Sequence, residues 1–397
     1  MHKEKQSEMI AFNTNNLRHF KLNTEAERWN KSKVITNEQL EQIELAHPIS
    51  FYHPPAWLRI ILSIAVTLGV LALWGFFVIS VLGGIGDSES IIPILLAFTG
   101  VLCIALLEYL IQSNNHYKSG VTEALMFIGF SFLIMGFVGF DSSEYAYSFA
   151  ILIVGLIMFL RYSNLFGSLI ALGGLSFIVF MILYELGPMI QGFLPIVFFA
   201  FFTGLYFLRQ SLQDSIKWYY TECVLVLDSS LLILIYLSMN YYVVRELSAE
   251  LMHLRIEPGE DIPFAFLFYA FTVLVPIGYL THGILKKKIL FIRIGVLLLF
   301  ASVITYKIYY SSGHPEITLT IVGILITSVT IWLINKLKQP VNGFTREQLL
   351  TQEGLNAHTE SIIISTTMGG NSNDQLIEND PGMGGGEFGG GGAGGEF

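Results

Sequence analysis

From Trp57 to Lys336 the chain alternates between apolar runs of about twenty residues and polar breaks of only a few. A helix rises about 1.5 Å per residue, so each run is long enough to cross a hydrocarbon core of about 30 Å. The pattern predicts ten such helices, at residues 57–82, 91–112, 121–140, 145–161, 164–185, 189–208, 218–243, 262–285, 289–310 and 316–336. The fourth and fifth are divided only by Arg161, Tyr162, Ser163 and Asn164. The expected fold class is therefore all-α, a polytopic transmembrane helical bundle.

Charge placement tests that count, because a missed span inverts every loop after it. With the N terminus in the cytoplasm, nineteen of the twenty-two Lys and Arg fall on the inner side, and only Arg245, Arg255 and Lys307 fall outside. The other outer breaks, GGIGDSES, FDSSEYA, ELGPM and SSGHPE, carry no Lys or Arg. Ten spans with both termini cytoplasmic satisfy this bias. The longer outer loop from Arg245 to Asp261 spaces Leu247, Leu251 and Leu254 at helical intervals before Pro258 and Gly259. That spacing predicts a short amphipathic helix on the outer interface.

Composition narrows the function classes. The chain is 53% apolar, 14% aromatic and 13% charged, against roughly 25% charged for soluble domains, which excludes an ordinary soluble protein and implies the lipid bilayer as its environment. The formal charge of -9 averages a basic body with an acidic tail, since no Lys or Arg follows Arg346. Three regions follow: a cytoplasmic segment at 1–56, the bundle at 57–336, and an acidic, Gly-rich, disordered tail at 337–397. The polar start MHKEKQSEMIAFNTNNLRHFKL lacks a secretory signal, so insertion is expected to begin at Trp57. Cys103 and Cys223 sit inside apolar runs, away from metal-ligand spacing. The spans contain no nucleophile with its base, no HExxH, no phosphate-cradling glycine loop followed by Lys and no clustered haem ligands. No cofactor or metal is expected, an enzyme is the least supported class, and the basic residues form no separate patch for nucleic acid.

Ahead of the first span, Thr24 with Glu27 and Thr36 with Gln39 have capping-box spacing, which predicts two short helices joined near Val34 and Ile35. Their modest apolar face predicts packing on each other and on the membrane-proximal surface. Pro48, Pro54 and Pro55 then deliver the chain to the bilayer with aromatics at headgroup level. The set Trp29, Ile35, Thr36, Glu38, Gln39 and Ile43, followed by a many-helix body, resembles a family of bacterial predicted membrane proteins that has no established activity. The resemblance implies a bacterial cytoplasmic membrane and no particular chemistry. The final GGGEFGGGGAGGEF is similar to the glycine-rich ends of bacterial membrane-anchored proteins with a TPM domain, although the domain itself is not recognisable in this chain.

Such a tail will not order alone, because glycine loses the most freedom on folding. Phe388 and Phe397, each preceded by Glu, are its candidate anchors for a protein partner's groove or sheet edge. An idle soluble end or a cloning remnant are the alternatives. Within the spans Asp228 is the sharpest ionisable candidate, in the stretch Asp228, Ser229, Ser230 whose hydroxyls are placed to share its hydrogen bonding. Glu108, Glu123 and Glu222 lie near inner span ends, at the level of Arg161, Arg209, His282 and Arg293. One reading is a proton- or cation-coupled site, with Pro276 and Gly278 supplying a broken helix. The other has the span-end acids reaching headgroup water and Asp228 bonded to a neighbouring helix. The small-residue run Gly167 to Gly174 is expected to let helices approach closely. The two cytoplasmic appendages and the patterned tail favour a non-enzymatic role in envelope assembly or partner recruitment, while the span count, the short loops and Asp228 point to the alternative, a secondary transporter of a small solute.

Overall fold

The computed structural model describes residues 9–82, 91–139, 143–251, 261–310 and scattered positions between 320 and 336. Two helices precede the bundle, α1 (Thr14–Lys31) and α2 (Asn37–Ala46). The body then runs α3 (Ala56–Leu82), α4 (Ile91–Asn114), α5 (Val121–Val138), α6 (Glu144–Tyr162), α7 (Leu165–Glu185), α8 (Pro188–Gln191), α9 (Leu194–Ser211), α10 (Thr221–Leu237), α11 (Tyr241–Leu251), α12 (Ala265–Lys286) and α13 (Ile289–Tyr310). Nine of these helices are long and apolar enough to cross a membrane, so the chain is an all-α, multi-pass membrane protein. The expected tenth span and the tail anchors Phe388 and Phe397 lie mostly or wholly outside the described residues, although the described positions from Thr320 to Lys336 are helical.

Local chemistry sets most boundaries. Ser163 adopts the left-handed conformation and Asn164 accepts from the Gly167 amide, so two residues are enough to turn α6 into α7. The expected span at 189–208 instead starts at Leu194. Pro188 begins the separate single turn α8, and the second proline, Pro195, starts α9 afresh. The expected span at 218–243 ends at Leu237, because the chain breaks at Ser238 to Asn240 before α11. The amphipathic helix of the outer loop thus begins earlier than Leu247, while Leu254, Pro258 and Gly259 fall outside the described residues.

Three antiparallel hairpins, α4–α5, α6–α7 and α12–α13, hold the closest helix contacts, and α10 packs against α7, α9, α12 and α13 at the centre. The α6–α7 hairpin is close because a Cβ on Gly155 would lie 2.3 Å from the Ala171 amide nitrogen, and one on Gly174 would lie 2.7 Å from that of Leu152. Only glycine permits that separation, the role expected for the run at 167–174. Outward-facing side chains such as Leu73, Phe76, Ile79, Phe98 and Phe137 are exposed, as a lipid-facing surface requires.

Pro276 lies inside α12, fully buried, and the helix runs unbroken through it, contrary to the expected broken helix. A proline cannot donate to the carbonyl four residues earlier, which leaves the Thr272 oxygen without its helical partner. The Ser302 hydroxyl of α13 donates to that oxygen at 2.6 Å. From there a buried polar chain continues: Ser302 meets the Tyr236 hydroxyl at 3.0 Å, and Asn240 donates to Tyr236 at 2.7 Å and to Thr305 at 3.1 Å. The Tyr241 amide at the start of α11 donates to the Thr272 hydroxyl at 2.9 Å. These contacts link α10, α11, α12 and α13.

The N-terminal segment is stitched to one end of the bundle. The Ala11 amide donates to the Arg161 carbonyl at 2.7 Å, and Tyr52 forms a short parallel bridge with His116. Ile10, Phe12 and Leu17 enter the same core as Leu107, Ile111, Met126 and Tyr162. Tyr117 takes the rings of Phe12, Phe20 and Phe51 at centroid distances of 5.1, 5.3 and 5.0 Å. α1 is longer than the Thr24 capping spacing implied: Asn13 caps it, and Thr24 is internal, donating to the Phe20 carbonyl. The Thr36–Gln39 capping box is present at α2.

Two outcomes are expected. Ser302→Ala leaves the Thr272 carbonyl without a partner in an apolar interior and is expected to cost about 1–3 kcal/mol, read as a lower unfolding temperature in detergent. Acidification is expected to loosen the N-terminal segment. Burial holds His53 and His116 below the ordinary imidazole range, so the docked form binds fewer protons than the released form. Docking is complete above about pH 6.5 and weakens below it. A spin label on α1 should gain mobility at low pH, and His53→Asn combined with His116→Asn should abolish that response.

Candidate functional site

Each of the four acids singled out in the spans has a partner supplied by this chain. Asp228 lies two turns into α10, facing the last turn of α9, where Arg209 points back at it. The Arg209 Nη2 donates to Asp228 Oδ2, and the two side chains are only 12% and 9% exposed. Among the described residues, Arg209 Nε and Asp228 Oδ1 are buried without a hydrogen-bond partner, so the pair is electrically balanced but not fully satisfied. The guanidinium also sits 5.8 Å from the Tyr206 ring centroid. Ser229 and Ser230 do not share the carboxylate: their hydroxyls donate to the Leu225 and Val226 carbonyls of their own helix, at 2.7 and 2.9 Å.

Glu108 near the end of α4 is gripped bidentately by Arg161 of α6, at 2.6 and 2.8 Å. Tyr162 donates to it at 2.7 Å and Gln112 at 3.0 Å. Glu222 accepts from Lys118 at 3.3 Å, linking the start of α10 to the loop before α5. Glu123 accepts from the Gly120 amide at 2.7 Å and the Thr122 hydroxyl at 2.9 Å, closing the first turn of α5. The span-end acids thus each have a protein partner, and Glu222 keeps its side chain 44% exposed beside Lys118. His282 packs on the Phe291 ring at 4.7 Å.

The sequence grouped Arg161 and Arg209 with the inner span ends without matching either to its acid, and Tyr162 was not anticipated as a partner of Glu108. The buried set Tyr236, Asn240, Ser302 and Thr305 was missed as well. Its one available signal was Pro276, which requires a donor from another helix for the Thr272 carbonyl. Among the described residues no group of three His, Cys, Asp or Glu is arranged to hold a metal ion.

Chemically, the α9–α10 pair can hold a charge inside the bundle and release it only if the carboxylate is protonated or the guanidinium finds another anion. The Glu108 assembly is a firm clamp between α4 and α6. No family model, no curated protein and no solved structure matches the chain.

The α9–α10 pair has a testable energetic signature. Arg209→Ala strands the Asp228 charge and is expected to destabilise the bundle by about 3–5 kcal/mol, whereas Arg209→Met with Asp228→Leu is expected to recover most of that loss. A thermal or denaturant double-mutant cycle reads the difference.

Proposed function

We propose that the protein is a non-enzymatic membrane scaffold that recruits a protein partner at the cytoplasmic face of a bacterial cytoplasmic membrane, in the assembly of the envelope. The observation that carries this reading is the way the N-terminal helices are presented. α1 is tied to the bundle through Ala11, Phe12 and Leu17, while α2 buries no residue. On α2, Glu38, Glu41 and Glu44 are exposed, Leu45 is 75% exposed, and the helix carries no Lys or Arg. Asn23 donates to the His47 carbonyl at 2.9 Å and Asn16 to Ser50 at 2.6 Å, so the far end of α2 is held at a set angle. A rigid base with an exposed acidic helix suits a partner with a basic and partly apolar face. The cytoplasmic orientation is supported by the placement of Lys and Arg, and the tail with Phe388 and Phe397 supplies a second contact.

A second reading, a proton- or cation-coupled transporter of a small solute, is favoured by the incompletely satisfied Arg209–Asp228 pair inside the bundle. One comparison separates the two. Quantitative cross-linking in native membranes is run on the full chain, on Glu38→Gln with Glu41→Gln and Glu44→Gln, and on a chain ending at Met383, with Asp228→Asn in parallel. The scaffold reading expects partner yield to fall several-fold with the α2 or tail variants and to persist in Asp228→Asn. Loss of solute uptake in Asp228→Asn, with an unchanged partner yield throughout, would favour transport.

A further inference from the structure

A cleft of about 410 Å³ opens beside the docked N-terminal segment, between the start of α3, the start of α5 and the start of α7. Its apolar wall includes Leu107, Met126 and Phe127, with Phe12 and Tyr117 beside it. At its mouth Ile60, Ile64 and Phe166 are 47, 55 and 56% exposed, so the opening faces the lipid region and not a closed interior.

The polar wall is unusual for such a place. Arg59 lines the cleft with its Nε buried and without a hydrogen-bond partner among the described residues. The other charged lining groups are committed: Lys118 to Glu222 at 3.3 Å, and Glu123 to the Gly120 amide and the Thr122 hydroxyl. Asn164, also in the wall, is occupied in capping α7. Arg59 therefore keeps an unbonded guanidinium N–H at the polar end of an apolar slot, with the Glu123 carboxylate in the same wall and the Ser63 hydroxyl one turn further along α3.

The arrangement is fixed by backbone contact. Gly120 has φ +84°, and a Cβ there would lie 2.0 Å from the Arg59 carbonyl oxygen, so only glycine lets the start of α5 press against α3 at this residue. Arg59 lies three residues into α3, about 5 Å along its axis, which is headgroup depth for a helix entering the bilayer near Ala56. A planar guanidinium at that depth matches a phosphodiester oxygen pair, and the apolar mouth matches an acyl chain.

We propose that this cleft is a binding site for a phosphate-bearing anionic lipid, with the headgroup held by Arg59 and an acyl chain lying along Ile60, Ile64 and Phe166. The site goes beyond the scaffold reading and does not depend on it. It places an ordered anionic lipid beside the aromatic cluster of Phe12, Phe51 and Tyr117 that anchors the N-terminal helices.

The full chain is reconstituted in nanodiscs of phosphatidylcholine containing a minority of phosphatidylglycerol, released, and scored by native mass spectrometry for retained phosphatidylglycerol. The wild type is expected to retain it over phosphatidylcholine. Arg59→Gln is expected to reduce retention roughly tenfold or more, as loss of a charge-assisted contact implies. Ile64→Trp, which narrows the mouth and leaves Arg59 in place, is expected to reduce it as well, and it keeps the test open if Arg59→Gln does not fold. Retention unchanged in either folded variant would overturn the site, as would displacement of the lipid by inorganic phosphate, which would mark a free-anion site instead.

Discussion

Hydrocarbon offers no hydrogen bonds and almost no screening, so every backbone oxygen and every charge that this chain carries into the bilayer must find its partner within the protein. The architecture follows from that constraint at several points. Pro276 withholds one amide, and Ser302 compensates at the Thr272 carbonyl, continuing into a buried polar chain with Tyr236, Asn240 and Thr305. Asp228 cannot stay ionised alone, and Arg209 is brought to it from the adjacent helix. Glu108 is held by Arg161 and Tyr162 in the same way. These contacts act as pins between helices whose apolar faces alone would slide, because lipid tails compete equally well for apolar side chains.

The pins are unevenly distributed. Toward the end where the N-terminal helices dock, the links are ionic: Glu108 with Arg161, Glu222 with Lys118, Asp228 with Arg209. Near the break between α10 and α11 they are neutral hydroxyl and amide contacts among Tyr236, Asn240, Thr272, Ser302 and Thr305. The ionic end also receives the N-terminal segment, whose Phe12, Phe20 and Phe51 close around Tyr117. That end therefore combines fixed charge, the exposed acidic α2 and the Arg59 cleft, and recruitment and lipid binding are both proposed there. The α9–α10 pair, deeper in the bundle, is the separate feature on which a transport reading rests.

Apolar run length was enough to read the spans from sequence, because hydrophobic thickness acts on each helix by itself. Nine of the ten expected helices are found, one starting later than expected at Leu194 and one ending earlier at Leu237, and the tenth lies mostly outside the described residues. The close approach of α6 and α7 was equally legible in Gly167 to Gly174, since small residues matter through size alone. The Thr36 box was legible because a cap is a four-residue property. Asn13 was overlooked as the start of α1, because the stretch after it is polar and has no apolar period to mark a helix.

What tertiary structure decided is which group meets which. Glu108 and Arg161 are fifty-three positions apart, and Lys118 and Glu222 one hundred and four, so no local pattern pairs them. The unpaired Nε of Arg59 becomes visible only once Glu123 and Lys118 are seen to be engaged elsewhere. Sequence alone determined that this is a many-span helical membrane protein, since solvation by lipid is read residue by residue. The pairing of its charges depends on how the helices rotate and pack against one another, a choice made only when the whole bundle assembles.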